Sequence, residues 1–249
     1  MPLGLPLAGF APSGMDICLC RSGLIFAECC GSVHQDRKPP AGVMIFPGFL
    51  DQVTCRKWVN RLEKQTRDAA KVTRIDPASG SRLTSVKELV RICEEVKSGV
   101  LRRVLTDCIA KGLLMAVART GRTLTWYETP IVLRYQTGGR YNRHVDCASY
   151  DANTQTWYKI RDRDLSLLLY LNDEYTGGGL TFTRFNFHYR PGVGDLLVFP
   201  SDNRYEHQAE EVLSGVRYAV ACWAAFDGST RVCDRPPPGV TYFKAGRSA

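Results

Sequence analysis

Val216-Arg217-Tyr218-Ala219-Val220-Ala221-Cys222-Trp223-Ala224-Ala225-Phe226 carries a single charge in eleven residues and is rich in β-branched and aromatic side chains, the composition of a β-strand. Strand alternation puts Arg217, Ala219, Ala221 and Trp223 on one face. The run closes a series of similar ones, Ile131 to Tyr135, Leu165 to Leu171, Leu180 to Arg184 and Asp195 to Phe199, separated by Gly, Pro, Asn and Asp clusters. Everything after Thr123 therefore reads as antiparallel strands. The texture before it differs. Cys55, Trp58, Val59 and Leu62 recur at i, i+3, i+4, i+7 and predict an amphipathic helix. A second stripe, through Val86, Leu89, Val90, Cys93, Val96, Val100, Leu101, Val104, Leu105 and Cys108, opens with Ser85 and Glu88 at capping-box spacing, and Gly99 and Gly112 are expected to divide it. Helices followed by strands give an α+β fold. The expected core is a double-stranded β-helix, or jelly roll, braced by N-terminal helices.

The chain has 249 residues, 44% hydrophobic and 23% charged, which suits one sizeable domain with a small appendage. Lys38-Pro39-Pro40-Ala41-Gly42 reads as a linker between a cysteine module at 1–38 and a catalytic domain at 43–249. No apolar run reaches membrane-spanning length and Met1 to Ala11 lacks a charged n-region, so the expected location is cytoplasmic, with no membrane partner. The ten cysteines then read as reduced thiols and metal ligands. A formal charge of +8 suits an anionic partner, but the basic residues are scattered, which argues against nucleic acid.

Arg143-His144-Val145-Asp146 sets an imidazole and a carboxylate two residues apart, on one side of a strand. His207, in Arg204-Tyr205-Glu206-His207-Gln208, completes two histidines and a carboxylate. Such a facial triad leaves coordination positions open, as non-haem iron chemistry requires. Val212-Leu213-Ser214-Gly215-Val216-Arg217 reads as a tight turn returning the chain beside the His207 strand. Arg217 would then sit roughly three residues, ~10 Å, from the metal, within reach of a diacid chelating it. Its planar fork suits a carboxylate. Ala219 and Ala221 leave room, and Trp223 is expected to close the pocket floor. Gly177-Gly178-Gly179 reads as a turn, since no Lys-Ser/Thr helix start follows it. His34 and His188 are expected outside the site.

One ordered set of stretches resembles the catalytic core of prolyl 4-hydroxylases over residues 131 to 226. It comprises Leu133-Arg134-Tyr135-Gln136-Thr137-Gly138-Gly139-Arg140-Tyr141, His144-Val145-Asp146, Leu169-Tyr170-Leu171-Asn172-Asp173, Gly177-Gly178-Gly179-Leu180-Thr181-Phe182, Pro191-Gly192, Gly194-Asp195-Leu196-Leu197-Val198-Phe199, His207 and Gly215-Val216-Arg217-Tyr218-Ala219. The resemblance implies Fe(II) on His144, Asp146 and His207, 2-oxoglutarate and O2 as cosubstrates, and ascorbate as reductant. It implies that Tyr135 and Tyr170 offer phenol hydroxyls to 2-oxoglutarate, that Arg217 pairs with its distal carboxylate, and that Tyr141 borders the substrate. Collagen-type members carry Lys where Arg217 stands, so the clamp resembles the oxygen-sensor and bacterial branch and points to protein or peptide substrates. Related halogenases lack the carboxylate, so Asp146 favours hydroxylation. The expected activity is hydroxylation of a peptidyl residue, proline by resemblance. The alternatives are a small-molecule hydroxylase, with Arg140, Arg161, Arg163 and Arg184 available to an anionic substrate, and a non-catalytic cupin-like protein-binding module. The polar stretch Cys147 to Asp164 matches no pattern.

Cys18-Leu19-Cys20 and, eight residues on, Cys29-Cys30 offer four thiolates, enough for a closed tetrahedral zinc site of structural type. With Ser22-Gly23 and Gly31 they resemble the SEC-C zinc motif. Arg21, Leu24 and Ile25 depart from it.

Overall fold

The computed structural model describes residues 5–7, 15, 25–28, 38–75, 82–86 and 90–243. Cys18, Cys20, Cys29 and Cys30, and with them the expected zinc site, lie outside the described residues, as does His34.

The long apolar runs form strands where the alternation predicts them. A large antiparallel sheet runs in the order Met44–Phe46, Leu196–Pro200, Leu165–Tyr170, Arg217–Phe226, Ile131–Tyr135, Glu94–Val96, Arg67–Ala69. A smaller one runs Phe187–Tyr189, Leu180–Phe182, His207–Ala209, Arg140–His144, Arg91–Ile92. Residues from both sheets line one cavity, an arrangement that fits a jelly-roll core. On the Arg217 strand the alternation sorts side chains as expected: Arg217, Ala219, Ala221 and Trp223 line the cavity. Tyr218, Val220, Cys222 and Ala224 turn to the other face and join an apolar cluster with residues of two helices.

Helix α1, Gln52–Leu62, is capped by Asp51, whose side chain accepts from the Thr54 N–H at 2.9 Å, satisfying an orphan donor of the first turn. It buries Cys55, Trp58 and Leu62, as the spacing predicted. Helix α2, Arg102–Thr120, buries Leu105, Ile109, Leu113 and Ala116. It ends at Gly121, whose left-handed φ of 66° lets its N–H reach Val117 O, a C-cap that glycine favours. Gly112 does not divide this helix: a Cβ there would lie 2.6 Å from Leu196 Cδ2, so the glycine allows helix and sheet to approach closely.

The first half of the second stripe is corrected. Val86 belongs to the strand Arg82–Val86, hairpinned with Lys71–Ile75, and Arg91–Ile92 and Glu94–Val96 are strands too. Glu94–Val96 pairs with Ile131–Tyr135, setting Val96 opposite Val132 and Glu94 opposite Arg134, whose Nη1 donates to Glu94 at 2.7 Å. β-Branched residues at i, i+3, i+4 serve a strand whenever a partner edge is available, and the buried Ile131–Tyr135 strand supplies one. No helix among the described residues is long and apolar enough to cross a membrane.

Candidate active site

His144 ends the strand Arg140–His144, and His207 starts the strand His207–Ala209; the two are register partners in adjacent strands. Asp146 follows in the bend that leaves the first strand. Asp146 carboxylate oxygens lie 3.6 Å from His144 Nε2 and 3.7 Å from His207 Nε2. All three ligand atoms fall within 4.8 Å of one another, and among the described residues no other such cluster of His, Cys, Asp and Glu occurs. Each histidine Nδ1 lies 2.9 Å from a backbone carbonyl, Asn142 O for His144 and Tyr205 O for His207. A carbonyl only accepts, so Nδ1 carries the hydrogen and the Nε2 lone pair faces inward, the tautomer a metal needs. Burial drives His144 well below the ordinary imidazole range, and the facing His207 adds to this, so the ring is neutral and its lone pair available. Burial opposes ionisation of Asp146. It is outweighed by His207, His144, the Arg163 guanidinium and the Ser166 hydroxyl, which together hold the carboxyl below its usual range. Ser166 donates to Asp146 Oδ2 at 2.6 Å and shares a 2.7 Å hydrogen bond with Ser201. The donor set, two imidazoles anchored through Nδ1 and one fixed carboxylate on one side of a cavity of about 430 Å³, fits an octahedral ion with open positions.

Arg217, 2% exposed, lies at the other end of the same cavity, and the Ala219 and Ala221 positions between it and the triad level are small. Its guanidinium stacks 4.0 Å from the Tyr135 ring centroid, and its Nη1 donates to Gly178 O. Gly177 and Gly178 hold left-handed φ values of 66° and 63°, so the glycine run is a turn, as expected, and it delivers this carbonyl. Arg217 Nε and Tyr175 Oη are buried without a hydrogen-bond partner. Two orphaned donors are costly unless an acceptor arrives, and a carboxylate is such an acceptor. Burial pushes the phenols of Tyr135, Tyr170 and Tyr175 upward in pKa, so all three stay protonated donors. Tyr135 and Tyr170 line the cavity.

Residues 130–225 match a family model described as the 2OG-Fe(II) oxygenase superfamily. This stretch is similar to a 2OG-Fe(II) oxygenase core. The match points to dioxygenase chemistry with Fe(II) and 2-oxoglutarate. The PKHD-type hydroxylase YbiX of Shigella sonnei (strain Ss046) is 28% identical over 182 residues, 71% of this chain and 75% of that protein. Prolyl 3-hydroxylase 2 of Homo sapiens is 29% identical over 130 residues, 45% of this chain but 18% of that protein. Among solved structures, a prolyl hydroxylase from Trichoplax adhaerens, in complex with a hypoxia inducible factor peptide fragment, superposes with a TM-score of 0.54 at 21% identity. It covers 75% of this chain and 84% of that one. A Pseudomonas putida prolyl-4-hydroxylase gives 0.52 at 19%, covering 75% and 94%. These last two speak for the fold.

Within this stretch, some details differ from the expected ones. The Arg217 strand does not hairpin onto the His207 strand: Val212–Gly215 pairs with Tyr175–Gly177, and Arg217–Phe226 lies in the large sheet between Leu165–Tyr170 and Ile131–Tyr135. Arg217 reaches the cavity across it, from the opposite sheet. Trp223 lines the cavity. It pairs with Ser166 beside the metal ligands and stacks under the Arg163 guanidinium at 3.7 Å. Of the four arginines, Arg161 and Arg163 line the cavity, whereas Arg140 and Arg184 do not. Arg163 forks onto Glu128 at 2.6 and 2.7 Å. His188 stands outside, paired with Glu210 at 3.0 Å. Tyr141 stacks on His144 with centroids 3.5 Å apart. Sequence reasoning missed Ser166 and Tyr175; the Asn172-Asp173-Glu174-Tyr175 run beside the glycine turn was the available signal for Tyr175.

Proposed function

We propose that the protein is an Fe(II)- and 2-oxoglutarate-dependent hydroxylase of peptidyl residues, proline foremost, in a cytoplasmic protein substrate. His144 Nε2, His207 Nε2 and the Asp146 carboxylate hold the iron. The observation that carries the reading is the pair of Nδ1-anchored histidines, whose Nε2 atoms face one carboxylate at 3.6 and 3.7 Å. Bound Fe(II) and 2-oxoglutarate supply the oxidising chemistry, in which O2 converts the keto acid to succinate and CO2 while a C–H bond gains oxygen. The chain's residues do the rest. Arg217 Nε and the Tyr175 hydroxyl receive the distal carboxylate, Tyr135 and Tyr170 add phenol donors, and Ala219 and Ala221 leave a slot for the carbon chain. Ser166 fixes the Asp146 oxygen, and Tyr141 borders the substrate. The helices α1 and α2 brace the jelly roll of a catalytic domain at 43–249, and Cys18, Cys20, Cys29 and Cys30 form a structural zinc module at 1–38. A peptide substrate is supported by the Trichoplax neighbour, which holds a hypoxia inducible factor peptide, and by the prolyl hydroxylase relative.

The test is incubation with Fe(II), ascorbate, 2-oxoglutarate and cell lysate, followed by mass spectrometry. Succinate together with prolyl peptides carrying one added oxygen is expected. Succinate with no modified protein would favour a small-molecule substrate, and no succinate would favour a binding module.

A further inference from the structure

Six basic and four acidic side chains line the cavity. An Fe(II) ion and a 2-oxoglutarate dianion would cancel each other, so an excess of positive charge remains. Three of these six cations are already answered: Lys97 pairs with Asp68 and Arg163 with Glu128, and Arg217 is reserved for the cosubstrate. Arg91 is different. It sits on the strand Arg91–Ile92, opposite Tyr141 in register, and lines the cavity together with Tyr141 and His144. Its Nε donates to Cys93 Sγ at 3.1 Å and its Nη1 to Lys71 O at 3.2 Å. Among the described residues no carboxylate lies within ion-pair distance of it; Glu95, the other acid at the mouth, has no ion pair to it either. Its guanidinium lies 4.7 Å from the Tyr141 centroid, and the Tyr141 ring in turn lies 3.5 Å from that of His144. One aromatic ring therefore separates this uncompensated cation from the metal ligands.

A half-buried guanidinium without a counter-ion is costly to hold, and its planar fork suits a carboxylate. We infer that Arg91 is a specificity-determining residue that receives a carboxylate of the substrate, a few bonds from the carbon to be hydroxylated. The inference rests on the proposed function and narrows its substrate to an anionic one. The carboxylate has two sources, an Asp or Glu side chain next to the target residue of a peptide, or the free carboxylate of a small acid.

The full chain, loaded with Mn(II) and the inert cosubstrate mimic N-oxalylglycine, is mixed with peptides of randomised flanks around a fixed proline, and the retained peptides are sequenced by mass spectrometry. Wild type is expected to enrich Asp and Glu about tenfold over Asn and Gln beside the proline, the worth of one charge-assisted contact. R91K should keep the preference, R91Q should lose it, and R91E should enrich Lys and Arg instead, a gain that misfolding cannot mimic. In a parallel arm, Arg91-dependent binding of L-proline but not prolinamide, with no acidic enrichment among peptides, assigns the carboxylate to a small acid. Wild type with no acidic preference in either arm, or R91Q with the preference intact, overturns the inference. Failure of N-oxalylglycine to bind in the loading titration would overturn the proposed function, and this inference with it.

Discussion

The inner end and the mouth of the one cavity are built on opposite rules. The inner end is walled by strands that are buried on both faces. There Ala219 is 3% and Ala221 1% exposed, and the one charge, Arg217, is held by a backbone carbonyl and an aromatic ring. The mouth is walled by residues 67–75 and 90–97, where Asp68, Lys71, Arg91, Glu95 and Lys97 face the opening on or beside short strands at or next to the sheet edges. An apolar, fully paired wall fixes atoms within tenths of an ångström, whereas charged edge strands can change side chains at little cost to the core. The difference teaches that the constant chemistry sits inside and the choice of substrate sits at the rim.

The sharpest way to break this division is at the triad. Asp146→Ala or His207→Ala should abolish product formation and iron retention, measured by succinate release and metal content; wild-type turnover in either variant would remove that residue from the centre. Next comes the cosubstrate end. Arg217→Ala loses charge-assisted bonds worth about 1.5–3 kcal/mol, so the 2-oxoglutarate requirement should rise roughly 10- to 150-fold, and an unchanged titration would count against the clamp. Tyr175→Phe deletes one donor worth about 0.5–1.5 kcal/mol, and the same titration should shift by roughly 2- to 10-fold with the melting temperature held. The smallest effect belongs to the rim. Lys97→Ala breaks an exposed ion pair with Asp68, of a kind that is screened by solvent and adds little. Its melting temperature should not move measurably, and a large drop would show that the mouth is structural after all.

The same division decides what the sequence made legible. Ile131–Tyr135 is a strand with the expected limits, and His144, Asp146 and His207 converge, because local alternation and a specific motif spacing carry that information. Arg217 lines the cavity as expected but reaches it by another path, since its strand pairs with Leu165–Tyr170 and Ile131–Tyr135 instead of its sequence neighbour. Tight-turn signals report where a chain reverses and not which sheet it joins. Val86 and Val96 lie in strands and not in the expected helix, because β-branched residues spaced three and four apart satisfy both periods until a partner edge is known. Ser166, Tyr175 and Arg91 escaped notice for a related reason. Each matters through a contact made across the sheets, Ser166 with Asp146 twenty residues away, Tyr175 beside Arg217, and Arg91 on Tyr141 fifty residues on.

The convergence of the triad is tested most directly by anomalous diffraction at the iron edge, from crystals grown without oxygen in Fe(II) and 2-oxoglutarate. A single iron peak should lie within ~2.2 Å of His144 Nε2, His207 Nε2 and an Asp146 oxygen, with the diacid extending toward Arg217. Iron bound elsewhere, or no iron at these three side chains at saturating metal, would contradict the account.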